Sequence, residues 1–126
     1  MKFVVLDDKE LMMDLLSALL AATSRNMRVL TWISVGDGLY LAELPNTCRF
    51  LLSNRLTARE LHITDNFGFR GYVLPYAVYW SDFFALFTAL ETYIQDQLTS
   101  YAAGLDERHV IAGERQFLEA LIKRMF

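Results

Sequence analysis

The sequence predicts an α/β domain, a small sheet flanked by helices with a helical C-terminal part. Three observations carry this. Short runs rich in β-branched and aromatic residues recur between turn signals. Two segments, near 10–22 and 81–103, place apolar residues in steps of three and four. Apolar residues make up 54% of the 126 positions and charged residues 21%, which supplies a core and excludes a disordered or low-complexity chain. The alternative class is α+β with an antiparallel meander, because residues 39–79 read either as a parallel sheet or as hairpins.

Lys2 to Leu6 is a continuous apolar run, the mark of a buried strand. Asp7 and Glu10 then form a D-x-x-E start with Asp7 as the helix cap and Asp8 as a first-turn acid. The helix carries Leu11, Leu15, Ala18, Leu19 and Ala22 on one face, broadened by Met12, Leu16 and Leu20. A helix this apolar is covered on two sides or forms part of an interface. After the break at Thr23 to Asn26, Met27 to Ser34 reads as a strand. Val29, Thr31 and Ile33 lie on one of its faces, Leu30 and Trp32 on the other.

Gly36-Asp37-Gly38 is a turn, and Leu39 to Leu44 is a returning strand or a short helix ended by Pro45-Asn46. Arg49 to Ser53, Leu61 to Thr64 and Gly71 to Leu74 are further strands. Ser81 caps the long helix, with its stripe at Phe83, Phe87, Leu90, Ile94, Leu98 and Tyr101, and Gly104 stops it. A last helical stretch follows from Leu105, supported by Arg115 with Glu119 and Glu119 with Lys123. The expected organisation is an α/β domain over 1–104 and a helical extension over 105–126 packed on the same domain.

A net charge of −3 and an isoelectric point near 5.3 argue against a general nucleic-acid binder. Residues 25–70 hold six arginines against four acids, whereas residues 71–126 hold four bases against seven acids. A single cysteine, Cys48, excludes an intramolecular disulfide and fits a reducing compartment, so a cytoplasmic location is expected. The opening residues lack the apolar heart of a signal peptide. Gly71 to Leu90 has the length of a membrane span, but Pro75 and a helix start at Ser81-Asp82 divide it into a strand and a helix. No membrane association is expected.

The chain has no nucleotide-binding, metalloprotease or nucleophile-elbow motif, so no catalytic residue and no cofactor is expected. His62 and His109 read as separate histidines, and Cys48 as a small buried hydrophobe rather than a thiol paired with His62. Gly36-Asp37-Gly38 reads as a tight turn before it reads as an anion cradle. Asp7 and Asp8, at the end of the first strand, are the weak candidates for a magnesium site, with helix capping as the competing explanation. Arg49, Arg55 and Arg59 are candidate contacts for an anion or an acidic partner, Arg55 and Arg59 sharing a face if that stretch is helical. The aromatic run Tyr72, Tyr76, Tyr79, Trp80, Phe83, Phe84 and Phe87 is the candidate protein interface.

The opening K-F-V-V-L-D-D-K-E-L-M-M-D-L-L-S-A-L-L resembles the start of a response-regulator receiver domain: a buried strand, an acidic pair and an apolar helix. The resemblance continues through Gly36-Asp37-Gly38, Leu41 to Asn46 and the strand Arg49 to Asn54. It returns over Gly68 to Pro75 and the helix from Ser81. It implies a parallel sheet with strand one in the middle and the acidic pair at its functional edge. Ser53 or Asn54 stands where the family has its phosphorylated aspartate, and Pro75 where it has a lysine, which implies a degenerate receiver that cannot be phosphorylated. Gly113 to Leu121 is similar to the start of the DNA-binding domain found in some members.

These readings converge on a non-enzymatic regulatory protein that acts by protein–protein contact. The expected partner is a second copy in a homodimer, or a receiver-like signalling or transcription-regulating protein. The alternative is a stand-alone inhibitor of the immunity or phage-encoded kind.

Overall fold

One six-stranded sheet organises the chain, with the strands in the order β1-β6-β5-β4-β3-β2. The computed structural model describes residues 2–23, 30–55, 58–77, 79–102 and 112–126. The strands are β1 (Lys2–Val5), β2 (Trp32–Gly36), β3 (Leu39–Leu44), β4 (Cys48–Arg55), β5 (Ala58–Asp65) and β6 (Arg70–Pro75). The helices are α1 (Lys9–Thr23), α2 (Ser81–Ala102) and α3 (Ala112–Met125). β1 and β2 lie at opposite edges of the sheet, with α1 between them in the chain. The chain then walks back strand by strand until β6 lies beside β1.

Every neighbouring pair from β2 to β6 is antiparallel, and β1 with β6 alone is parallel. The mixed α and β content stands, but the receiver-like parallel sheet expected from the resemblance does not: strand one is at an edge, and the sheet is the meander of the α+β alternative. Loop length is the physical reason. Asp37-Gly38, Pro45 to Thr47 and residues 56–57 are all that separate β2 from β3, β3 from β4 and β4 from β5. A parallel crossover needs about a dozen residues or more. Gly38 makes the first of these turns at φ 70°, a left-handed conformation that glycine adopts without Cβ strain.

The three helices share one core with one face of the sheet. Leu15, Leu16, Leu19 and Ala22 of α1, Phe83, Phe87, Leu90 and Ile94 of α2 and Leu118 of α3 pack with Trp32, Phe50, Leu52, Leu61, Ile63 and Leu74 of the strands. The broad apolar stripe of α1 is accounted for: the helix packs against both α2 and α3. Leu30, just before β2, and Trp32 are buried while Thr31 and Ile33 are exposed, as expected, but the rest of β2 to Gly36 is exposed on both faces. Met27 to Val29, Gly104 and His109 lie outside the described residues. Asp8, not Asp7, caps α1, its Oδ1 accepting the Leu11 amide at 3.1 Å.

A buried polar joint ties α2 to the end of α1 and the start of β2. Gln97 is 2% exposed. Its Oε1 accepts the Trp32 amide at 3.0 Å, and its Nε2 donates to the carbonyls of Leu30 at 2.8 Å and Thr23 at 3.1 Å. The Trp32 indole nitrogen donates to Thr23 Oγ1 at 2.9 Å. The Thr23 carbonyl is one of the last in α1, which has no partner inside its own helix.

Candidate functional site

With all three helices on one side, the other side of the sheet faces outward. Alternate strand residues point to it, and the register aligns them. Ile33, Leu41, Leu51, His62, Val73 and Val5 form one transverse row through all six strands. Five of these six are apolar. At the two edges Ile33 is 51% and Val5 61% exposed, and Leu41, Leu51 and Val73 are half-buried only by their neighbours. No motif search finds this row, because each strand contributes one residue and only the register brings them together.

The polar groups beside the row are already paired. Glu43 and Arg49 sit opposite one another in the ladder with Oε1 and Nε 2.7 Å apart. His62 Nε2 lies 2.7 Å from Glu60 Oε1, and the Phe3 ring meets the imidazole edge-on at 5.3 Å. Phe3 reaches this position by lying across Gly71, where a Cβ would stand 2.5 Å from its Cε1. At the β5–β6 turn the Phe67 and Phe69 rings stack 6.4 Å apart, 78% and 73% exposed. The turn is held by the Phe69 amide donating to Asp65 Oδ1 at 2.9 Å. Phe67 walls a hollow of about 420 Å³ whose floor is Leu41, Leu51 and Thr64. A second hollow, about 540 Å³, runs from Ile33, Leu41 and Glu43 past Pro45 to Arg115 of α3.

The aromatic run of α2 and its approach is placed elsewhere. Phe83 and Phe87 are fully buried and offer a partner no surface, which corrects their assignment to an interface. Tyr72 donates its hydroxyl to the Met125 carbonyl and packs edge-on against Phe126 at 5.2 Å. Tyr76 meets Phe84 at 5.5 Å and Phe87 at 5.3 Å. Trp80 stands beside Phe83 at 6.2 Å, beneath the Lys9 ammonium. These rings join α2 and α3 to the sheet. Tyr79 and Phe84, 81% and 40% exposed, are the members left at the surface.

The three arginines do not converge. Arg55 and Arg59 share no helix: Arg55 ends β4 and Arg59 lies in β5. Arg55 Nε donates to the Asp37 carbonyl at 3.2 Å. Arg59 is on the helix side, 2.6 Å from Glu91 Oε1 and 4.1 Å from the Tyr76 ring centroid. Arg49 is on the outward face with Glu43. An anion site made of all three is thereby excluded, since the pleat sends Arg49 and Arg59 to opposite sides.

Asp7 and Asp8 also stand apart from the strand that the receiver resemblance singled out. β1 and β4 are separated by β6 and β5, three strand spacings or about 14 Å. Ser53 is buried and the Asn54 amide donates to the Gly38 carbonyl at 2.8 Å. Among the described residues no group of three or more His, Cys, Asp or Glu is arranged to hold a metal. Cys48 is buried on the helix side, opposite Asp65 in the ladder, while His62 faces outward, so the two form no thiol–imidazole pair. Burial pushes the Cys48 thiol from 9.0 up to about 12. No described helix is long and apolar enough to cross a membrane.

Comparison with known protein families, with curated proteins and with solved structures found no match.

Proposed function

We propose that this chain is a non-enzymatic regulatory protein that acts through protein–protein contact, and that its contact surface is the outward face of the sheet. One observation carries the reading: a row with five apolar members of six, interrupted by His62 of β5, crosses the whole sheet on a face that no described helix covers. Exposed apolar surface on this scale marks an interaction site. The Glu43–Arg49 ion pair and the Glu60–His62 hydrogen bond support it, since desolvating a charge that already has a partner costs less than desolvating a lone one.

Site-specific photo-crosslinking in expressing cells tests it. A crosslinker at position 51 is expected to capture a discrete protein, and one at Phe117, exposed on α3, is not. Equal and diffuse capture from both positions would refute the proposal. A captured signalling or transcription protein, or a second copy, fits the regulator. An unrelated enzyme as the one dominant target would favour a stand-alone inhibitor.

A further inference from the structure

We infer that the outward face is occupied by a second copy of this chain, the two sheets packing face to face about a twofold axis. This deepens the reading of that face as a contact surface and rests on it. Three features point to self-association. The first is charge. Around the row Glu43 is paired with Arg49, Glu60 shares a hydrogen bond with His62, and Arg55 ends β4 on the same face, so two acids stand against two arginines and an identical face meets no net like charge. A basic or acidic partner would instead call for a face of one sign.

The second is shape. A twofold contact requires that residue i meet j while j meets i, so knob and hollow must lie on one surface. Here the exposed Phe67 ring, with Phe69 stacked on it, stands at the rim of the hollow floored by Leu41, Leu51 and Thr64. The third is size. Six strands about 4.8 Å apart and about 20 Å long give a flat face of roughly 600 Å². Two aromatic rings at its rim add about 200 Å² or more. That reaches the ~800 Å² per partner of a standard stable interface. Sheets pack in this way about 10 Å apart, aligned to within about 30°.

Sedimentation velocity on the full chain, up to about 200 µM, decides the matter. The expected species has twice the 14.5 kDa chain mass. Leu51→Asp places a charge in the middle of the row and is expected to weaken the dimer about 100-fold. Should that variant fold poorly by circular dichroism, the double change Phe67→Ser with Phe69→Ser alters only the exposed rim. It is expected to weaken the dimer about tenfold with the melting temperature unchanged. Phe117→Asp, on α3 and outside the strand row, leaves the mass at the dimer value. A wild-type chain that stays at 14.5 kDa, or a dimer indifferent to both outward-face variants, overturns the inference. The crosslinker at position 51 separates this from the broader reading. Capture of a different protein by a monomeric chain removes the second copy and keeps the contact surface, whereas no capture at all removes both.

Discussion

Replacing Gln97 by leucine tests whether the buried joint between α1, β2 and α2 holds the helices to the sheet. The side chain is 2% exposed and makes three hydrogen bonds, to the Trp32 amide and to the carbonyls of Leu30 and Thr23. Leucine fills a similar volume but satisfies none of them. At roughly 1 kcal/mol for each bond lost, the cost is about 3 kcal/mol, a large share of the ~5–15 kcal/mol that holds a domain together. For a chain of this length that lowers the melting temperature by about 10 °C. Urea denaturation followed by tryptophan fluorescence measures it, with Gln95→Leu as the control, since Gln95 bonds the Tyr40 hydroxyl at the surface. Gln97→Glu adds a sign. It keeps the acceptor for Trp32 but sets a carboxylate against two carbonyl oxygens. Burial raises its folded pKa above the unfolded value of about 4.3. The penalty is therefore full at neutral pH and relieved as the pH falls toward about 4. Melting of Gln97→Leu within about 2 °C of wild type would refute the reasoning.

Asp8→Ala removes the cap on the Leu11 amide and is expected to cost about 1 kcal/mol, against less than about 0.5 kcal/mol for Asp7→Ala; denaturant midpoints give both. Gly71→Val drives a side chain into the Phe3 ring. It should cost about 1–3 kcal/mol, speed amide exchange along β1 and remove the ring-current shift that Phe3 imposes on His62. With its pKa raised from 9.0 to about 12, the Cys48 thiol stays protonated through the neutral range. Its contribution to stability is complete below pH 9.0 and is lost as the pH rises toward 12. Ellman's reagent at pH about 8 should therefore react slowly with the folded protein and fully in denaturant. Rapid reaction under native conditions would show that the thiol is reachable.

Element type was legible because periodicity is local. The 3.6-residue stripe of α2 survives in the structure as Phe83, Phe87, Leu90 and Ile94, all buried. The alternation at Leu30, Trp32 and Ile33 does too. Strand direction was legible only through loop length. The short connections after β2, β3 and β4 demand hairpins, whereas a likeness of apolar runs says nothing about pairing, because buried strands of either direction share their composition. The aromatic run at 72–87 misled for a related reason. Aromatic enrichment serves a core and an interface alike, and it is the helix stripe within that run that buries Phe83 and Phe87. The row on the outward face was beyond a linear reading, since its members are scattered from Val5 to Val73.

By itself the amino-acid order indicated α1, α2 and most of the strands, where several of the turns fall, and that Cys48 is buried, while leaving Leu39 to Leu44 open between strand and helix. Those properties depend on near neighbours along the chain and on side-chain chemistry. Tertiary structure alone decided that strand one lies at an edge, that Arg49 and Arg59 point to opposite sides, and that single residues from six strands, five of them apolar, form one row. The reason is that a sheet is made by pairing distant segments, and a shift of one residue in any pairing would turn that strand's contribution to the other face.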